Sequence, residues 1–201
     1  MISNEMLALG KKSSVIREIF EYGNRRRAEI GAENVFDFSL GNPSIPTPKA
    51  VSEAMKEMLE TTDPVALHGY TSAPGAPAVR QAIAESITAR FGFPADACNI
   101  YMTCGAAASL TVSLKAVLVP GDEVIVPAPF FPEYRVFVEA AGGKLVSVPA
   151  RQSDMGPDMD KLAAAITPAT KAIIINSPNN PTGFATRAQV ATIISNFVIN
   201  T

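Results

Sequence analysis

Three short stretches carry residue types that can hold a ligand: TCGAAAS (103–109), VPAPFFPEY (126–134) and NSPNNPTG (176–183). In the first, a glycine and three alanines stand where a strand gives way to a helix. The first N–H groups of a helix lack intrahelical acceptors, and the helix dipole adds positive potential there. Gly105, Ala106 and Ala107 therefore offer donors to an anion such as a phosphate, and Ser109 can add a hydroxyl. Small residues also let a helix pack closely on a strand, and the stretch lacks both the dinucleotide glycine fingerprint and the P-loop lysine. In the second stretch Pro127, Pro129 and Pro132 stiffen a loop bearing Phe130 and Phe131. Either one ring fills the core while the other stacks on a planar ligand, worth about 0.5–1.5 kcal/mol beyond burial, or both are core filling. In the third, Asn179 and Asn180 sit on a proline-fenced turn after the apolar run KAIII (171–175). A rigid carboxamide there can hydrogen-bond a phenolic oxygen, although asparagine is common in turns for local reasons.

Softer candidates lie upstream. Gly41, in LGNP, would let backbone approach a ligand closely, or it serves a plain turn. Tyr70, in HGYT, has a hydroxyl that can reach a phosphate, or it packs with a wet tip. His68 is the only histidine and has no carboxylate or cysteine beside it, which favours a structural role. No spacing matches a zinc site, a nucleophile elbow or a paired-carboxylate hydrolase.

The elements that must position these residues follow from periodicity. Ile16, Ile19 and Phe20 share a helical stripe, with Ser14 as N-cap and an end near Gly31. Val51, Met55, Met58 and Leu59 mark a second helix, and Val79, Ile83, Ile87 and Phe91 a third. From residue 98 the rhythm alternates: strand NIYMT, helix, strand EVIVP (123–127), helix from Pro132 to about Ala141 and strand KLVSV (144–148). A helix over 158–166 capped by Asp158, strand KAIII and a helix after Thr186 complete it. Gaps too long for hairpins and an apolar final strand predict a mostly parallel α/β sheet with helices on both faces.

Composition narrows the class. An apolar fraction of 47% and a net charge of −2 describe a globular chain, not a nucleic-acid binder. The one basic run, RRR at 25–27, reads as a solvated helix face with Glu21 and Glu29 a turn either side of Arg25. Cys98 and Cys104 bracket a stretch read as extended, which separates them by roughly 20 Å and precludes a mutual disulfide. No signal-peptide pattern or membrane-length apolar run is present. With reduced thiols, that predicts a cytoplasmic protein.

Taken in order, LGNP, then GYT…G…P.VR.AIA, then TCGAAASL, PGDEVIVPAPFFPEY and NSPNNPTG resemble the class I/II aminotransferases of fold type I, which use pyridoxal phosphate. The likeness runs over nearly the whole chain. It implies that Asn180 hydrogen-bonds the phenolic oxygen of the cofactor ring and also borders the substrate. Phe131 stacks on the ring, where many relatives carry tyrosine or tryptophan. Gly105, Ala106 and Ala107 cradle the phosphate, with Ala107 standing where many relatives have a hydroxyl. Tyr70 reaches the phosphate of the partner subunit's cofactor, which implies a homodimer, and Gly41 belongs to the loop near the substrate carboxylate. The substrates implied are an amino acid and a 2-oxo acid, with no nucleic-acid or membrane partner.

The same resemblance places the cofactor-linked lysine well downstream of NPTG, as it does the aspartate facing the pyridine nitrogen. No lysine here stands in a matching context, so no catalytic residue is assigned and the chain reads as the N-terminal portion of an enzyme. Residues 1–48 are expected to form an arm and small-domain segment, and 49–201 the first part of a large cofactor-binding domain with an incomplete sheet. In that picture KAIII and EVIVP are not neighbours, and NIYMT borders strands absent from the chain. A carbon–sulfur or other lyase on the same scaffold, or a non-catalytic cofactor-binding remnant, are the alternatives.

Overall fold

A computed structural model of the chain describes residues 2–11, 15–39 and 45–182. It divides into two compact units, Met1–Met102 and Thr103–Thr201. In the first unit the helices are α1 (Asn4–Lys11), α2 (Val15–Ile30), α3 (Lys49–Thr61), α4 (Pro64–His68) and α5 (Pro77–Phe91). Apolar periodicity anticipates α2, α3 and α5. Ser14, expected as the cap of α2, lies outside the described residues. The single turn of α4 has a local cause: the Asp63 carboxylate accepts from the Val65 and Ala66 N–H groups at 3.0 Å, and Pro64 occupies the first helical position. Gly92, at φ +67°, ends α5 and donates its N–H to the Thr88 carbonyl at 2.9 Å.

The basic run of α2 is neutralised differently from expectation. Arg26 pairs with Glu29 at 2.7 Å, and Arg27 reaches Asp37 at 3.0 Å and Asn24 at 3.0 Å. Hydrogen bonds from Ser39, aided by Arg27, hold the Asp37 carboxyl below its usual range. The predicted strand NIYMT does not form. Ala97–Asn99 is a 3-10 turn, and residues 100–103 run without a ladder. Asp96 is the reason at its start: its carboxylate accepts from the Cys98 N–H at 2.8 Å, and its carbonyl accepts from Asn99 at 3.0 Å. A local side-chain acceptor gives the backbone an alternative to sheet pairing, and no neighbouring strand among the described residues competes for it.

The second unit contains α6 (Ala106–Val117), β1 (Glu123–Pro127), α7 (Glu133–Ala140), β2 (Lys144–Val148), α8 (Met159–Ala164) and β3 (Thr170–Ile173). The strands form a parallel sheet in the order β2-β1-β3, with Ile125 opposite Val146 on one side and Ile173 on the other. The expectation that EVIVP and KAIII stand apart is therefore overturned. Beyond the ladder, Ile174 donates to the Ile125 carbonyl at 2.9 Å and Glu123 donates to that of Ala169 at 2.7 Å. The reason is the second edge of β1, whose backbone groups need partners that the KAIII segment supplies, and handedness then sets the helices. The chain leaves β1 through α7 to reach β2, then returns past β1 through α8. Right-handed crossovers in opposite directions must put their helices on opposite faces.

The central strand shows both faces. Val124 and Val126 pack with Leu114 of α6, Leu118 just past its end, and Tyr134 and Val138 of α7, whereas Ile125 packs with Val148 of β2 and Leu162 of α8. Val124, Ile125, Val126 and Val138 are fully buried, and each such side chain contributes about 1.5–3 kcal/mol on removal from water. The α/β class with helices on both faces is thus as the sequence predicts. Asp158 caps α8, accepting from the Lys161 N–H at 3.2 Å. Among the described residues no helix is long and apolar enough to cross a membrane.

Candidate functional site

The carboxyl ends of β1 and β3 carry two of the three ligand-bearing stretches, and α6 opens on the third. Gly105 precedes α6 at φ +85° and ψ 173°, a conformation restricted in practice to glycine. No side chain caps this helix. Gly105 donates back to Thr103 at 2.9 Å, and the first intrahelical bond is Ser109 N–H to Gly105 carbonyl at 3.2 Å. The amides of Ala106, Ala107 and Ala108 consequently have no acceptor among the described residues. A Cβ built on Gly105 would meet nothing within 4 Å among the described residues. Ser109, read as a further anion donor, is otherwise engaged: its hydroxyl bonds that of Thr103, and the Thr103 hydroxyl donates to the Gly105 carbonyl at 3.2 Å.

One apolar cluster holds the second stretch together with residues that adjoin the other two. Leu110 of α6, Phe130 and Phe131 of the loop after β1, and Ile174 at the end of β3 all pack against the core that includes Val124, Val126 and Tyr134. Phe131 meets Tyr134 edge-on at 5.7 Å between centroids and stays half-buried, while Phe130 stacks on Tyr134 at 6.3 Å. Tyr134 escaped notice in the sequence, although its position three residues after Phe131, at the start of a helix, is a signal for it. It is 8% exposed, and burial pushes its phenol above the ordinary value.

A cavity of about 30 Å³ opens beside these rings, lined by Val126, Phe130, Tyr134, Met155, Ile175 and Asn179 among others. Its outer wall is the loop after β2. There Arg151 grips Asp154 with two nitrogens at 2.6 and 3.1 Å, and Asp154 accepts from Gly156 at 3.0 Å. The Arg151 guanidinium holds the Asp154 carboxyl below its usual range.

The two asparagines of NNPTG part company. Asn180 is exposed, and its carboxamide has no partner among the described residues. Asn179 is half-buried and donates to the Pro129 carbonyl at 2.9 Å and to the Thr182 hydroxyl at 2.9 Å. The sequence named both but singled out only Asn180. Tyr70 belongs to the first unit and is fully exposed. Gly41 lies outside the described residues. Among the described lysines none lines the cavity; Lys144 is paired with Glu123 at 2.8 Å and Lys161 with Asp158 at 2.9 Å. Among the described residues no three His, Cys, Asp or Glu side chains gather as a metal would need.

Comparison with known proteins places this arrangement. Residues 33–198 match the family described as aminotransferase class I and II. The chain is 34% identical over 185 residues to an aspartate aminotransferase of Pyrococcus horikoshii, covering 92% of this chain and 45% of that protein. A crystal structure of an amino transferase from Eubacterium rectale superposes with a TM-score of 0.90 at 49% identity, over 96% of this chain and 49% of the other. A single mutant of Thermus thermophilus aspartate aminotransferase superposes with a TM-score of 0.86 at 29% identity, over 100% and 50%. The chain thus spans about half the length of the relatives it matches, and its fold is fold type I. The match over most of the residues, with the shared fold, shows that the chain belongs to the aminotransferase class I and II family.

Proposed function

We propose that the protein is a pyridoxal-phosphate-dependent aminotransferase that moves an amino group between an amino acid and a 2-oxo acid. The observation that carries this is the open start of α6, where three unpartnered amides follow Gly105 at the sheet end that bears the aromatic and asparagine loops. Such a start suits a phosphate dianion, because donors and dipole both favour negative charge. A planar ring needs a flat apolar cover and a donor for its oxygen, which Phe131 and Asn180 can supply. When bound, pyridoxal phosphate supplies an electron sink for the substrate's α-carbon and a carrier for its amino group. The chain's own residues anchor, orient and shelter it: the turn at Gly105, whose own N–H is taken by Thr103, presents the amides of Ala106, Ala107 and Ala108 to phosphate, Phe131 covers a ring face, and Asn180 donates to the ring oxygen.

A homodimer belongs to the same proposal, with Tyr70 donating its hydroxyl to the phosphate in the partner subunit; its full exposure supports that use. Gly41 is assigned to the substrate side, and residues 1–48 to an arm and small-domain segment ahead of the cofactor-binding domain. The exposed, free thiols of Cys98 and Cys104 suit a reducing compartment and support a cytoplasmic location.

The test uses protein expressed from the complete reading frame, incubated with pyridoxal phosphate and reduced with borohydride. One covalent cofactor adduct by intact mass is expected, together with amino transfer from an amino acid to a 2-oxo acid. Cofactor uptake without transfer across a panel of amino acids would overturn the aminotransferase assignment, and absence of any uptake would overturn the cofactor as well.

A further inference from the structure

We propose that Asn179 is a positioning residue that ties the loop after β1 to the loop after β3 and thereby sets both Phe131 and Asn180. Its consequence for cofactor binding rests on the function proposed above; its existence does not. The loop after β1 is fastened at its start, where the Ala128 N–H donates to the Val148 carbonyl of β2 at 2.7 Å. The next fixed atom is the Pro129 carbonyl, held by the Asn179 amide at 2.9 Å. Among the described residues nothing accepts from the Phe130 or Phe131 N–H, and order resumes only where Tyr134 donates to the Phe131 carbonyl at 3.0 Å. Asn179 is therefore the last polar anchor before Phe131. The other hydrogen of the same amide goes to Thr182 Oγ1 at 2.9 Å, which closes the turn around Asn180. One planar group thus spends both donors fixing two loops that lie 50 residues apart in sequence.

Asparagine suits this place for definite reasons. Its two amide hydrogens diverge at a fixed angle, so holding one acceptor orients the donor toward the other. Aspartate has the same shape but presents only oxygens, which repel the Pro129 carbonyl. Because the group is half-buried, lost donors are incompletely replaced by water.

The experiment compares wild type, Asn179→Asp, Asn179→Ala and Thr182→Val in protein from the complete reading frame. Amide hydrogen exchange is read without cofactor, and pyridoxal phosphate affinity and visible circular dichroism are read with it. Asn179→Asp is expected to speed exchange of the Tyr134 and Arg135 amides, the hydrogen-bonded ones that follow the loop, about tenfold while β2 is unchanged, to weaken cofactor binding about tenfold, and to alter the dichroism of what binds. Asn179→Ala should follow it, and Thr182→Val should show a smaller effect. Unchanged exchange at Tyr134 and Arg135 would overturn the proposal, as would a uniform rise that includes β2, which signals only lost stability. Local loosening with unchanged affinity and dichroism would overturn the positioning role. If wild type binds no pyridoxal phosphate, the proposed function falls, and the exchange data alone still decide whether Asn179 couples the loops.

Discussion

Gly105→Ala separates the two requirements that a phosphate cradle places on its first residue. A methyl group there meets no described atom within 4 Å beyond its chain neighbours, so packing against the rest of the fold is not a cause of any effect. The backbone, at φ +85° and ψ 173°, lies in a region costing a residue with a Cβ about 1–3 kcal/mol. Alanine's narrower unfolded ensemble offsets about 0.4–1 kcal/mol of that. The variant has two ways to respond. It can keep the conformation and lose stability, or turn the peptide planes around residue 105 and swing the α6 amides away from the anion. The stability loss and the binding loss together should therefore come to about 1.3 kcal/mol at the middle of these ranges, and if all the strain falls on binding, affinity drops about 5- to 150-fold. Gly121→Ala is the control, since Gly121 has φ +101°, equally open space and a place in the turn before β1. It should lose comparable stability and no cofactor affinity. Urea denaturation and pyridoxal phosphate titration measure the two quantities. Wild-type stability and affinity in Gly105→Ala would refute the argument, and so would an affinity loss in Gly121→Ala as large as in Gly105→Ala.

Three further outcomes are expected. Ile125→Ala, at the fully buried centre of the middle strand, should destabilise the chain by about 2–5 kcal/mol in urea denaturation, because β2, β3 and α8 all pack around it. Asn180→Ala should weaken pyridoxal phosphate binding roughly tenfold to a hundredfold while leaving apoprotein stability unchanged, since its carboxamide holds nothing else among the described residues. Hydrogen bonds from Lys144 and Thr167 lower the Glu123 carboxyl below its usual range in the folded chain. A depressed carboxylate contributes stability that is full above its unfolded value and lost as pH falls through its folded value. Glu123→Gln should accordingly be less stable than wild type near neutrality, and the gap in denaturation midpoints should close on acidification; a gap constant with pH would contradict this.

The chain's local physics was readable without coordinates wherever one element decides its own form. The spans EVIVP and KLVSV become β1 and β2 with the predicted bounds, because short valine- and isoleucine-bearing runs between turns have little alternative. The Asp158 cap and the uncapped, small-residue entry to α6 follow from the residue types in one turn. What failed depended on partners elsewhere. NIYMT has strand propensity, yet a strand exists only beside another, and Asp96 wins the backbone instead. The adjacency of β1 and β3 is a pairing between segments distant in sequence, which no local pattern encodes. The sequence by itself determined the α/β class and the three stretches that offer donors, rings and amides. Tertiary structure alone decided that Asn179 turns inward to hold Pro129 while Asn180 stays open, because two adjacent, chemically identical side chains differ only in what the fold sets beside them.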